Sequence, residues 1–265
     1  MATEVGNNQS VERAFAVLSA FTGGQPELRV SDVAKRAGLG LSTASRLLTT
    51  LESVGAVERD PVSGLYRLGL DLVTYAGIAL NQHRVHRAAR QTAQELAARL
   101  GLGANVAVRR GDALRYLLNF EGARARRNSV LIGAHNPLHA TGLGKCLLSG
   151  LGPAERRELL PADRLVGYTP HTLTDHDRLD AELAQLAAQG YAKEVEELAF
   201  SRACVAAPIR DQSGAVVAAL SVSGPLSAID LPAREGELSR AVVETADSIS
   251  VALGYAGPHA TGEPA

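Results

Sequence analysis

The side chains with the clearest chemical use stand in one short run, LSTASRLLTT at 41–50. At helical spacing Ala44, Leu47, Leu48 and Leu51 form one apolar face, leaving Ser42, Thr43, Ser45, Arg46, Thr49 and Thr50 on the other. That second face is rich in hydroxyls, nearly free of carboxylate and centred on one Arg. Hydroxyls bond phosphates or base edges, and Arg is the commonest reader of guanine. The chemistry on offer is nucleic-acid recognition. A solvated face on an ordinary helical pair is the competing reading, because this spacing alone has many false positives.

A second group lies far along the chain. In 216–223 the residues alternate, so Val217, Ala219, Ser221 and Ser223 share one strand face. Small and hydroxyl side chains there leave space above a sheet and put donors into it; ordinary sheet packing is the plainer reading. Cys204, on the preceding strand, lines the same space if the register allows.

Enzyme chemistry finds less support. Gly142-Leu143-Gly144-Lys145-Cys146 is similar to a phosphate loop, but His139 replaces the required Gly and Cys146 the metal-binding Ser/Thr. His171 and His176 lack a Cys or carboxylate grouping of metal-site spacing, so no metal and no cofactor is expected. Cys204 sits among Ala203, Val205, Ala206 and Ala207, the setting of a buried thiol rather than a nucleophile.

The elements that position these groups follow from periodicity. Val33, Ala34 and Ala37 make one apolar face, Gly38-Leu39-Gly40 a turn, and the helix over 41–51 a second face: a helix-turn-helix. Ala34 allows close approach of the two axes, and Gly38 takes a positive φ at little cost. Val57-Glu58-Arg59-Asp60 and Leu65-Tyr66-Arg67-Leu68 read as two strands around Pro61-Val62-Ser63-Gly64, a wing from which Arg59 and Arg67 reach the DNA backbone. Val11, Ala14, Val17, Leu18 and Phe21 supply a first helix that closes the core.

Beyond the wing, 70–80 is apolar at helical spacing and 81–87 is polar and basic, together a linker helix. Arg84, Arg87 and Arg90, at i, i+3 and i+6, share one face, more simply solvated than in contact with DNA backbone or paired with acids of a partner subunit. A helix over 88–100 follows. Strands are expected at 104–109, 114–120, 129–132, 191–195, 203–210 and 216–223, with helices at 144–148, 153–160, 176–189 and 231–253. Asp175 and Gly190 bound the 176–189 helix. Strands interleaved with helices and tight hairpins predict a mainly antiparallel α+β sheet.

SVERAFAVLSAF at 10–21, the helix pair at 31–51 and GAVERDPVSGLYRLG at 55–69 resemble the DNA-binding domain of the IclR family of bacterial transcription regulators. NPLHATGLGKCLL at 136–148, GYTPHTLTD at 167–175 and CVAAPIRDQSGAVVAALSVSGP at 204–225 resemble its effector-binding domain, in the same order. The resemblance implies an N-terminal winged helix-turn-helix and a C-terminal GAF-like sheet. It implies a transcription regulator, expected to act as a repressor, modulated by a small or aromatic carboxylate. It also implies effector contacts from the positions of Cys204, Ser221, Ser223 and Glu194, with Thr141, Gly142 and Leu143 capping the pocket. One departure stands out: the family carries Gly-x-Arg before its cysteine, where this chain has Ser201-Arg202-Ala203.

The resulting organisation is a flexible start (1–9), a DNA-binding domain (10–70), a linker helix (71–87), an effector domain (88–255) and a disordered tail (256–265). The 265 residues carry a net charge of −1. Through position 80, seven basic side chains meet eight acidic ones, so no basic patch shows in the domain total. The bias is local: Arg29, Lys35, Arg36 and Arg46 face only Asp32 across 29–46. Two cysteines in apolar runs and no transmembrane-length run point to a cytoplasmic protein without membrane contact. Its expected partners are double-stranded DNA bearing a palindromic operator, a small-molecule effector and further copies of itself, as homodimer or homotetramer. The rival readings are a ligand sensor acting through protein contacts and a cysteine-dependent enzyme.

Overall fold

The computed structural model describes residues 8–22, 24–125 and 132–257. The expected flexible start and tail fall largely outside them. Contacts divide the chain into two compact units, 1–80 and 81–265.

In the first unit, α1 (Gln9–Ser19), α2 (Val30–Ala37) and α3 (Leu41–Ser53) enclose a core of Val17, Phe21, Val33, Leu48 and Leu51. Gly38 ends α2 at φ 65°, the left-handed turn that an L side chain enters at a cost. Strands β1 (Val57–Arg59) and β2 (Tyr66–Leu68) pair antiparallel, and Leu28 exchanges both backbone hydrogen bonds with Tyr66. Asp60 shapes the wing turn by accepting the N–H groups of Val62 and Ser63 at 3.0 and 2.6 Å. Val11, expected in this core, is 51% exposed; it lies on the first turn of α1, and Ala14 is the first residue of that helix to pack inward.

The expected single linker helix is two. α4 (Asp71–Gln82) buries no residue, and His83, extended at φ −75° and ψ 116°, precedes α5 (Arg84–Leu100). The break falls where packing begins: α5 buries Val85, His86, Ala89, Ala93 and Leu96. Arg84, Arg87 and Arg90 are exposed on its outer face.

The second unit is a six-stranded antiparallel sheet of β3 (Gly103–Arg110), β4 (Ala113–Phe120), β5 (His135–Pro137), β6 (Ala192–Val195), β7 (Arg202–Arg210) and β8 (Val216–Pro225). Its order is β5-β4-β3-β8-β7-β6. The strand expected at 129–132 lies outside the described residues except Ile132, which is in a turn; the edge strand is β5. α5 and α10 (Leu231–Ala252) cover one face. α6 (Gly142–Leu148) and α8 (His176–Gln189) cover the other, with α7 (Pro153–Leu159) and α9 (Leu226–Ile229) completing the helices. Asp175 caps α8 by accepting the Arg178 N–H, and Gly190 stops it at φ 86°. Among the described residues no helix is long and apolar enough to cross a membrane.

Candidate DNA-reading surface and effector cavity

On α3, Ala44 and Leu48 are buried and Ser42, Ser45, Arg46, Thr49 and Thr50 are exposed, with Thr43 half-buried. Ser42, Ser45 and Arg46 make no side-chain hydrogen bond or ion pair with any described residue. Thr49 and Thr50 differ. Their hydroxyls donate to the Ser45 and Arg46 carbonyls at 3.1 Å, so as they stand they offer acceptor lone pairs and no proton to a phosphate. On the wing, Arg67 is held by Glu58 at 2.9 Å and faces Glu27 at 3.9 Å. Arg59 instead lies over the Tyr66 ring, 5.6 Å from its centroid, and is the wing cation free of a carboxylate partner. Leu41, which periodicity overlooked, is 60% exposed at the first position of α3. An apolar side chain off the apolar stripe was its signal. Contact with a thymine methyl is the use such a residue has.

In the second unit a cavity of about 270 Å³ opens on the face of the sheet that carries α6. Register decides its floor. Glu194 pairs with Cys204 and Cys204 with Ser223, while Ser221 pairs with Asn105 and Asn105 with Asn119. One face therefore carries two rows of polar or small side chains. Thr141, Leu143, Glu194, Cys204, Ser221 and Ser223 all line the cavity. Gly142 sits behind its wall; a Cβ there would stand 2.8 Å from the Cys204 sulfur. Thr141 caps α6 by accepting the Gly144 N–H at 3.0 Å. The Gly142 N–H points at the Cys204 sulfur. Most of that helix start is thus engaged within the protein.

Asn105, Tyr116, Asn136 and Arg202 also line the cavity, and sequence reading missed them. Asn105 donates to Ser223 Oγ at 3.1 Å and accepts from Asn119; Asn136 donates to the Tyr116 hydroxyl at 3.0 Å. Burial pushes the Tyr116 phenol up to about 12, so it stays a neutral donor. Burial also raises the Glu194 carboxyl, against the opposing N–H donors of Glu197 and Leu198. The Cys204 thiol is raised by burial and then by Glu194, the reverse of what a nucleophile needs. His139, in place of the phosphate-loop Gly, is a buried histidine whose Nε2 meets the Val166 carbonyl at 2.9 Å, while its buried Nδ1 has no hydrogen-bond partner among the described residues. No grouping of metal-ligand side chains occurs among the described residues.

Beside the cavity Lys145 is 1% exposed and meets Glu197 and Glu182, with Glu194 close by. Three carboxylates around one ammonium cannot all ionise cheaply in a buried site. Burial holds the Glu197 carboxyl up at about 7, opposed by Lys145 and reinforced by Glu182 and Glu194. Its folded pKa lies above its ordinary value of 4.5. Its contribution to stability is therefore complete below that value and is lost as pH rises through about 7. Melting temperature measured from pH 5 to 8 is expected to fall more steeply in the wild type than in Glu197→Gln. Parallel curves would contradict this.

Both units have counterparts among known proteins. Residues 10–61 match the model for the IclR helix-turn-helix domain, and 77–251 match that for the bacterial transcriptional regulator IclR C-terminal domain. The chain is 35% identical over 247 residues to the HTH-type transcriptional regulator XynR of Escherichia coli, covering 93% of this chain and 98% of XynR. It is 34% identical over 248 residues to the E. coli HTH-type transcriptional repressor AllR, covering 93% and 90%. A solved IclR homolog from Microbacterium hydrocarbonoxydans, complexed with 4-hydroxybenzoate, superposes with a TM-score of 0.79 at 28% identity over 92% of this chain and 98% of that one. A winged helix-turn-helix joined to a ligand-binding antiparallel sheet, matched along nearly its whole length by transcription regulators, makes this chain a DNA-binding member of the IclR family.

Proposed function

We propose that this regulator binds a palindromic operator as a homodimer or homotetramer, represses transcription there, and is modulated by a small carboxylate, aromatic acids included. Arg202 carries the choice of ligand. It lines the cavity, and its guanidinium makes no hydrogen bond or ion pair with any described residue. Lys145, a buried cation beside the cavity, is already matched by two carboxylates. An unpaired guanidinium in a cavity also lined by Asn105, Ser221 and Ser223, with the Glu194 carboxyl raised by burial, suits an anion of carboxylate geometry. The 4-hydroxybenzoate bound by the Microbacterium homolog is of this class. Repression follows the precedent of AllR, a repressor by name.

Self-association is supported by the first unit. Val11 and Phe15 on α1, and Leu70, Val73, Tyr75 and Ile78 on or beside α4, are 51–73% exposed. Apolar surface of this extent on a helix that buries nothing marks a protein contact. Two copies joined there would carry two α3 helices to two half-sites.

Thermal shift with benzoate, 4-hydroxybenzoate and short aliphatic acids tests the ligand class. A melting-temperature rise is expected in the wild type and not in Arg202→Met, because only binding to the folded state stabilises it. Equal shifts in the variant, or from uncharged amides of the same acids, would refute the assignment.

A further inference from the structure

The loop 196–201, between β6 and β7, supplies Leu198 and Ala199 to the cavity wall. Both of its ends are in the left-handed region, Glu196 at φ 58° and Ser201 at φ 61°, where neither residue type is at ease. Ser201 stands where the resembled family has Gly. Such conformations persist only where the surroundings impose them. Here the surroundings are polar ties. Thr169 and Thr172 donate to the Glu196 and Glu197 carbonyls, each at 2.6 Å. Glu194 Oε1 accepts the Glu197 N–H at 2.7 Å. Within the loop the Ser201 N–H donates to Glu196 Oε1 at 2.7 Å, and at its end the Ser201 carbonyl accepts the Leu226 N–H at 3.0 Å. Another tie crosses to α6: Lys145 Nζ meets Glu197 Oε1 at 2.5 Å and, on its other side, Glu182 of α8.

We propose that the Lys145–Glu197 pair is a latch that holds this loop closed over the cavity and so governs entry to it. Neither residue lines the cavity, so both are positioning residues. The pair also differs from a permanent structural tie. Glu197 Oε2 is buried with no hydrogen-bond partner in the described structure. A carboxylate satisfied on one oxygen only leaves the closed state less favourable than it could be. Segments held in this way open below the free energy of global unfolding.

The latch rests on reading this cavity as the effector site only for what it encloses, and its test needs no effector. Cys204 lines the cavity, while Cys146 is fully buried in the α6 core and reports general loosening. N-ethylmaleimide labelling of the full chain at pH 7.5, assigned to each cysteine by peptide mass, reads both. Glu197→Ala leaves Lys145 paired with Glu182 and breaks the tie to the loop. Cys204 is expected to react at least about tenfold faster in that variant, since the population of the open loop sets access. Cys146 should stay unlabelled, and Glu197→Gln, which keeps an acceptor for the ammonium, should react within about twofold of the wild type. An unchanged Cys204 rate in Glu197→Ala, or Cys146 reacting in step with Cys204, would overturn the latch. Absence of any carboxylate ligand would sink the effector reading alone.

Discussion

Arg46→Ala is expected to weaken operator binding by at least about 30-fold at physiological salt. A bidentate base contact is worth roughly 1–3 kcal/mol, and a dimer makes it twice. Arg46 is exposed, its side chain has no partner among the described residues and it sits mid-helix, so the substitution leaves the folded protein intact. Fluorescence anisotropy on a duplex selected from a random pool measures the loss, and melting temperature checks the fold. The pattern of loss separates two roles. A base contact relaxes preference at one position, whereas a phosphate contact weakens all sequences alike and lowers the salt slope. Affinity within twofold of the wild type would remove Arg46 from the interface.

Val73→Asp with Ile78→Asp on α4 is expected to reduce operator affinity by about 100-fold or more through loss of the second half-site. Joined modules gain about 10²–10⁴ over single ones, and separating them forfeits that gain. Val73 and Ile78 are 62% and 51% exposed within one chain, so the cost to the fold of a single copy is small. Two charges buried face to face across a contact would be far costlier. Sedimentation velocity should show the assembly reduced or dissociated, with the affinity loss tracking it. Unchanged affinity would place the contact between copies elsewhere.

The recognition face was legible because its chemistry is local. Ser42, Ser45 and Arg46 sit within five residues, and helical periodicity sets them on the face away from Ala44 and Leu48. The wing was legible for the same reason, though the pairing of Arg67 with Glu58 depends on strand register, which sets Glu58 opposite Arg67. The cavity was legible only in part. Alternation in β8 exposed Ser221 and Ser223, but nothing local could say that Cys204 faces Ser223 or that Asn105 faces Ser221. Asn105 inside the apolar run GANVAV was the available hint, since a buried amide must find partners. Arg202 and the Lys145 cluster gave less. The carboxylates that neutralise Lys145 lie 37 and 52 residues away in sequence, and Lys145 by itself looked like part of a failed phosphate loop. The break at His83 was hidden because apolar α4 and the polar start of α5 together read as one amphipathic stretch; what separates them is packing.

A carboxylate in the sheet cavity is expected to change how tightly the chain holds DNA. The most direct measurement is operator affinity by anisotropy with and without a saturating acid identified by thermal shift, on the wild type and Arg202→Met. Coupling between two sites of one protein is typically 5- to 150-fold, and a ligand without differential affinity shifts nothing. At least about a fivefold change in operator Kd is expected for the wild type and none for Arg202→Met, with equal affinities when the acid is absent. An acid that binds, raises the melting temperature and leaves operator Kd unchanged would contradict it.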